Sequence, residues 1–331
     1  MLERMNAVPF PPMRRIDVGD VSLEVAVEGD GPLCILVHGW PETAYSWRHQ
    51  IAPLVRAGHR VAVPHVRGYG GSDAPEAVEA YAMTALVGDI VGLMDALEAP
   101  SATLIGHDWG APIVWHTALM HPDRVDAVVG MSVPHLGRGG PVPPTEVLQA
   151  VYRDRFFYIL YFQQPDVPEA EFERDVRDAL AKVYFANSGD STKAMRQAMR
   201  ARMRGDGYLT GLIAPDPLPA WLDEADLDRY VADFERSGFR GGIHRYRNMD
   251  PDFHALEHLA QAKIRPPALF VAGQHDSVLR YAPGTNLMDI MDPFYADLRG
   301  KVVIPDCGHW VQQEKPEVVN AAVLEFLASL R

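Results

Sequence analysis

Cysteine is scarce in this chain: its 331 residues hold two, Cys34 in a β-type run and Cys307 in a loop. Two are too few for a disulfide framework and lack the spacing of metal ligands, so both read as structural. Basic residues are outnumbered, 31 Lys and Arg against 44 Asp and Glu, leaving a formal net charge of −13. That balance excludes the basic face that a nucleic acid or an anionic membrane requires of a partner. Long apolar runs are missing as well; none approaches the roughly 18 residues of a spanning helix, so no membrane insertion is expected. The opening MLERMNAVPFPPMRR lacks the apolar stretch of a signal peptide, and the simplest address is cytoplasmic. What is present in quantity is hydrophobic residue, 47% of the chain, enough for one large α/β domain or a domain carrying an insertion.

Short β-type runs at Arg14–Val18, Val21–Glu28, Leu33–Val37 and Arg60–His65 lead to an amphipathic stretch from Met83 to Leu97. Two further β-type runs follow, Ala102–Ile105 and Val125–Val133. Paired strands followed by strand–helix alternation predict a mainly parallel sheet covered by helices on both faces. Alternation stops near Pro134. From there to about Met249 the pattern is helical and aromatic; Leu227, Tyr230, Val231 and Phe234 fall at i, i+3, i+4 and i+7, with Ser237-Gly238 placed to end that helix. Strands resume at Ala268–Ala272 and Lys301–Ile304, and a last helix begins at Pro316. The expected organisation is an α/β core in two parts, residues 1–133 and 250–331, with an all-helical cap inserted at 134–249.

The chemistry concentrates at Gly106-His107-Asp108-Trp109-Gly110, between a strand and a segment that reads as helix from Ala111 to Met120. This is the form of a nucleophile elbow, a strained turn that lifts the central side chain above the sheet edge, with aspartate in place of the usual serine. A carboxylate is suited to displacing a leaving group from saturated carbon, which leaves an alkyl ester on the enzyme. Discharging such an ester needs a base for water and a carboxylate to orient the base. His309 follows the strand ending at Ile304, and Asp276 follows the strand ending at Ala272, giving the order nucleophile, acid, histidine. The stretch Gly130–Pro134 offers no rival carboxylate. Backbone N–H groups of Trp40, in His38-Gly39-Trp40-Pro41, and of Trp109 are placed to form an oxyanion hole.

In these motifs the chain resembles the epoxide hydrolases of the α/β-hydrolase fold. The match runs through HGWP at 38–41, RGYGGSD at 67–73, GHDWG at 106–110, YFQQP at 161–165, GFR and YRNM within 238–249, and DCGHW at 306–310. The resemblance implies two cap tyrosines that hold and protonate the epoxide oxygen, which residue matching assigns to Tyr161 and Tyr246. Phenols with an ordinary pKa near 10 are well matched to an alkoxide. The implied partners are a small epoxide and water, with no cofactor and no metal, in a monomer or homodimer. His65 departs from the pattern, since relatives more often carry aspartate there. Phe156, Phe157, Tyr158, Phe162 and Trp221 suggest an apolar pocket, although cap packing accounts for such aromatics equally well.

Other patterns compete. Gly70-Gly71-Ser72-Asp73-Ala74 mimics a serine elbow but stands away from a strand end and reads as a structural turn. His254 and His258 have the spacing of a zinc helix, yet no third ligand accompanies them, and they read as a solvated helix face. A haloalkane dehalogenase shares the aspartate and the tryptophan after it, and a non-catalytic binding protein can be built on the same scaffold.

Overall fold

The computed structural model describes residues 10–282 and 284–330; residues 1–9, where most of the leader reading falls, lie outside them. Among the described residues eight strands form one sheet: β1 (Met13–Asp17), β2 (Ser22–Glu28), β3 (Leu33–Val37), β4 (Arg60–Pro64), β5 (Ala102–His107), β6 (Val125–Met131), β7 (Ala268–Gly273) and β8 (Leu298–Ile304). Their spatial order is β1-β2-β4-β3-β5-β6-β7-β8. β1, β2 and β4 pair antiparallel and the remaining neighbours pair parallel.

Burial explains the composition of each strand. β3, β5 and β7 are buried at every residue and read as continuous apolar runs, because helices cover both sheet faces. Met83–Ala96 and Gly110–Met120 pack on one face, Ile51–Arg56 and Pro316–Ala328 on the other, each with its own apolar cluster. β8 alternates in exposure and starts three residues before the expected Lys301, since Leu298 and Gly300 still pair with β7 beyond the apolar stretch.

Between β6 and β7 the described chain is helical in seven pieces from Pro144–Tyr152 to Arg240–Arg247, followed by Met249–Ala255. The stretch 202–223 carries no helix, so this segment is less uniformly helical than its pattern predicts. The helix around Leu227 spans Glu224–Ser237, opened by an Asp223 capping box and ended by Gly238 at φ 67°. The zinc-like pair is split: helix Met249–Ala255 ends before His258, which sits in a separate turn, so the two histidines do not share one helical face. Ser72 lies in a buried turn, donating to the His65 carbonyl at 2.7 Å and accepting from Glu24 N at 2.8 Å. No helix of the described residues is long and apolar enough to cross a membrane.

Candidate active site

Six parallel strands, β3 to β8, end on one edge of the sheet, and the loops after β3, β5, β7 and β8 converge above it. The loop after β5 is the elbow. Asp108 takes φ 50°, a left-handed conformation, and such a turn needs its neighbours to come unusually close. A Cβ on Gly106 would lie 2.2 Å from the Gly110 carbonyl oxygen, and one on Gly110 would lie 1.9 Å from that of Val37. Glycine at both positions is therefore steric necessity. Gly39 is pressed equally hard, with its missing Cβ 2.3 Å from Asp108 Oδ1.

This packing brings the expected triad residues together. His309 Nε2 stands 3.3 Å from Asp108 Oδ2, and its Nδ1 is 3.0 Å from Asp276 Oδ2. Asp276 Oδ1 accepts from Val278 N at 2.9 Å, which fixes the carboxylate. Trp40 N donates to Asp108 Oδ1 at 2.7 Å, and Trp109 caps the helix that begins at Gly110. Burial works against a charge on His309, but Asp276 and Asp108 on either side outweigh it and hold the imidazolium well above the usual histidine range. Burial likewise pushes Asp276 up, and His309 with its hydrogen bonds overcomes this to hold it low.

What stands behind His309 leaves no mark in any local sequence pattern. Its carbonyl oxygen takes Ser132 Oγ at 2.9 Å and a contact from His107 Nε2 at 2.7 Å. The other His107 nitrogen is 2.6 Å from Glu42 Oε2, while Glu42 Oε1 takes the amides of Gln312 and Gln313. This fully buried network ties the loops after β3, β5 and β8 to one another, across separations no local pattern can report. His65, the departure noted above, is also buried, with Nε2 3.7 Å from Glu24 and 3.9 Å from Asp233.

A cavity of about 250 Å³ opens over Asp108 and His309. Tyr246 lines it, edge-on to Trp109 with ring centres 5.0 Å apart. Tyr161 does not line it, which corrects the residue matching: its hydroxyl donates to Glu171 Oε2 at 2.8 Å in the interior of the helical segment. The phenol beside Tyr246 is Tyr158, with ring centres 5.6 Å apart and the charge of Asp108 acting on it. Burial first, then the neighbouring phenols and Asp108, hold Tyr158 and Tyr246 well above the usual phenol range. Phe156 and Phe157 also line the cavity, whereas Phe162 packs on the Trp40 ring at 4.9 Å and Trp221 is not among the lining residues.

A family profile described as alpha/beta hydrolase fold matches residues 32–316. The chain is 43% identical over 324 residues to Epoxide hydrolase A of Mycobacterium tuberculosis, covering 97% of this chain and 98% of that protein. It is similar to the crystal structure of Epoxide Hydrolase A from Mycobacterium thermoresistibile, with TM-score 0.90 and 44% identity over 96% of this chain and 98% of that one. An epoxide hydrolase from an endophytic Streptomyces superposes with TM-score 0.91 at 39% identity, covering 99% and 97% of the two chains.

Proposed function

Since the chain belongs to the epoxide hydrolases of the alpha/beta-hydrolase fold, we propose that it converts an epoxide and water to a vicinal diol through an ester on Asp108. The observation that carries the mechanism is the pairing, in one cavity, of a carboxylate held against His309 with the phenols of Tyr158 and Tyr246. Asp108 attacks a ring carbon and the C–O bond opens. One phenol gives its proton to the emerging alkoxide; both resist ionisation in their buried setting, so they are protonated when the alkoxide forms.

Esterification removes the charge of Asp108, one of the two anions that keep His309 protonated. The imidazolium then returns a proton to the phenolate and becomes a base. Oriented by Asp276, it takes a proton from water, which adds to the ester carbonyl while the N–H groups of Trp40 and Trp109 hold the developing oxyanion. Collapse releases the diol and restores the Asp108 carboxylate beside a protonated His309. In this reading residues 134–249 act as the cap over the site, and the protein works as a cytoplasmic monomer or homodimer. The two buried, unpaired cysteines support that address.

The test is to incubate a His309→Gln variant with panels of epoxides and haloalkanes and weigh the intact protein. Accumulation of an adduct on Asp108 equal to the full epoxide mass is expected. An adduct formed only from haloalkanes, with loss of HX, would indicate dehalogenation. No adduct from either class would remove the covalent mechanism and leave a binding protein.

A further inference from the structure

One face of the helical segment carries charge opposite in sign to the molecule as a whole. From Ser191 to Arg204 the chain has five basic residues and no acidic one. Helix Lys193–Ala201 buries Met195 and exposes Lys193, Arg196 and Arg200, which at i, i+3 and i+7 share one side. Arg204 is exposed just beyond its end. Arg202 turns inward instead, 8% exposed with its guanidinium 4.3 Å from the Phe156 ring centre, and is no part of this face.

A second strip of chain is stitched alongside. Phe156 N donates to the Arg202 carbonyl at 3.1 Å, Arg204 N to the Asp154 carbonyl at 2.7 Å, and Arg155 Nη1 to the Arg200 carbonyl at 3.3 Å. These bonds set the exposed Arg153 and Arg155, which follow helix Pro144–Tyr152, beside the end of the basic helix. Among the described residues none of these six exposed cations pairs with a carboxylate; Arg153 and Arg196 donate to the carbonyls of Ala150 and Ser191. The acids beside them are Glu146, Asp154, Asp190 and Asp206, and Met203 N engages Asp206 at 2.6 Å. Cations outnumber acids here, in a chain where the reverse holds. A net charge of −13 averages over this face, so the expectation from composition that no basic face exists fails locally.

Exposed apolar side chains are interleaved with the charges. Val147 and Val151, one turn apart on helix Pro144–Tyr152, are 45% and 44% exposed, and Met203, bridged through its backbone to Arg155, is 52% exposed. Ile213, the most exposed large apolar side chain among the described residues, follows a turn at Gly211 that lies against Ala198 of the basic helix. Tyr152, Arg155, Met199 and Arg200 also line the cavity, so it opens onto this same face.

We propose that this face docks on the surface of an anionic phospholipid bilayer. Its cations meet the phosphate headgroups, while Val147, Val151, Met203 and Ile213 enter the acyl boundary around the cavity mouth. Basic residues near an anionic leaflet and buried apolar area are the two signals that together hold a peripheral protein. A nucleic acid calls for exposed rings on which bases stack, whereas Tyr152, Phe156 and Phe157 line the cavity. An apolar molecule dissolved in the bilayer then reaches the cavity without crossing bulk water. Docking requires no particular reaction at Asp108, and its test measures binding alone.

The whole protein is co-sedimented with vesicles of phosphatidylcholine, alone or with about one third phosphatidylglycerol. Binding is expected on the anionic vesicles, little on the neutral ones, and most of it should be lost in about 1 M salt. Lys193→Gln/Arg196→Gln/Arg204→Gln, all on the surface, should weaken partition by about tenfold or more. Val151→Ser/Met203→Ser should weaken it at low and high salt alike. Removing three exposed cations of the core, in Arg56→Gln/Lys263→Gln/Arg265→Gln, should leave binding as it was. No binding by the unaltered protein would overturn the proposal, as would equal loss in the core variant or equal binding to neutral vesicles. Capture of a single-stranded RNA that needs Lys193, Arg196 and Arg204, without vesicle binding, would assign the face to nucleic acid instead.

Discussion

Tyr158 and Tyr161 stand at the two ends of one four-residue helix, and three residues is short of a full turn, so their rings leave it about 60° apart. That offset sends one phenol into the cavity beside Tyr246 and the other to Glu171. A sequence motif records both tyrosines with equal weight, whereas only the direction of each ring decides which can reach an epoxide. Replacing Tyr158 and Tyr246 together by Phe should slow ester formation by about 10²- to 10⁴-fold in single-turnover measurements. Tyr161→Phe should change the same rate by less than about tenfold, because it removes a hydrogen bond outside the cavity. Equal damage from Tyr161→Phe and Tyr158→Phe would reverse the assignment. Asp108, Asp276 and His309 needed no such correction to be found close together, since each follows a strand of the parallel sheet and the sheet edge gathers whatever follows its strands.

The elbow is an element whose backbone is held by what its neighbours lack. Gly110→Ala would drive a methyl group to 1.9 Å from the Val37 carbonyl oxygen, forcing helix Gly110–Met120 away from β3. A loss of about 4 kcal/mol or more in urea unfolding is expected. Gly88, exposed in helix Met83–Ala96 with nothing near its missing Cβ, is the contrast. There alanine should stabilise by up to about 1 kcal/mol, through helix propensity alone. If both substitutions behaved alike, steric pressure at the elbow would not be the reason for Gly110. Element type was legible from periodicity across most of the sheet and for the Leu227 helix. The ends of β8, the helix-free stretch 202–223 and the break between His254 and His258 were not, because pairing and packing with distant residues set them.

Across the whole molecule the helical segment is fastened to the core by polar side chains as well as by aromatics. Arg48, on the core, reaches Asp226 at 3.1 Å, Gln313 Oε1 at 2.7 Å and the Trp221 carbonyl at 3.2 Å. Tyr184, on the helical segment, donates to the Pro41 carbonyl at 2.8 Å, next to the Trp40 N–H that meets Asp108. His309 N bonds the Asn187 carbonyl at 2.9 Å, so helical segment and catalytic loop share backbone contacts. Removing one member of a buried ion pair strands the other, and Arg48→Met should cost about 3–5 kcal/mol. Adding Asp226→Leu should recover much of that loss in the same denaturant titration; a double variant as unstable as Arg48→Met alone would show that the pair is not the reason.

By itself the sequence determined the order of strands and helices, the carboxylate at the elbow and the acid and histidine that follow later strands. These are local facts: a period of two or of 3.6, a glycine beside a turn, a residue type after a strand. The tertiary structure alone decided which tyrosine faces the cavity, that Glu42 and His107 stand behind the His309 loop, and that Arg202 is buried in the cavity wall over the Phe156 ring. Each of those depends on a side chain's direction and on partners tens or hundreds of residues away, which only the closed packing of sheet and helices brings within a few ångströms.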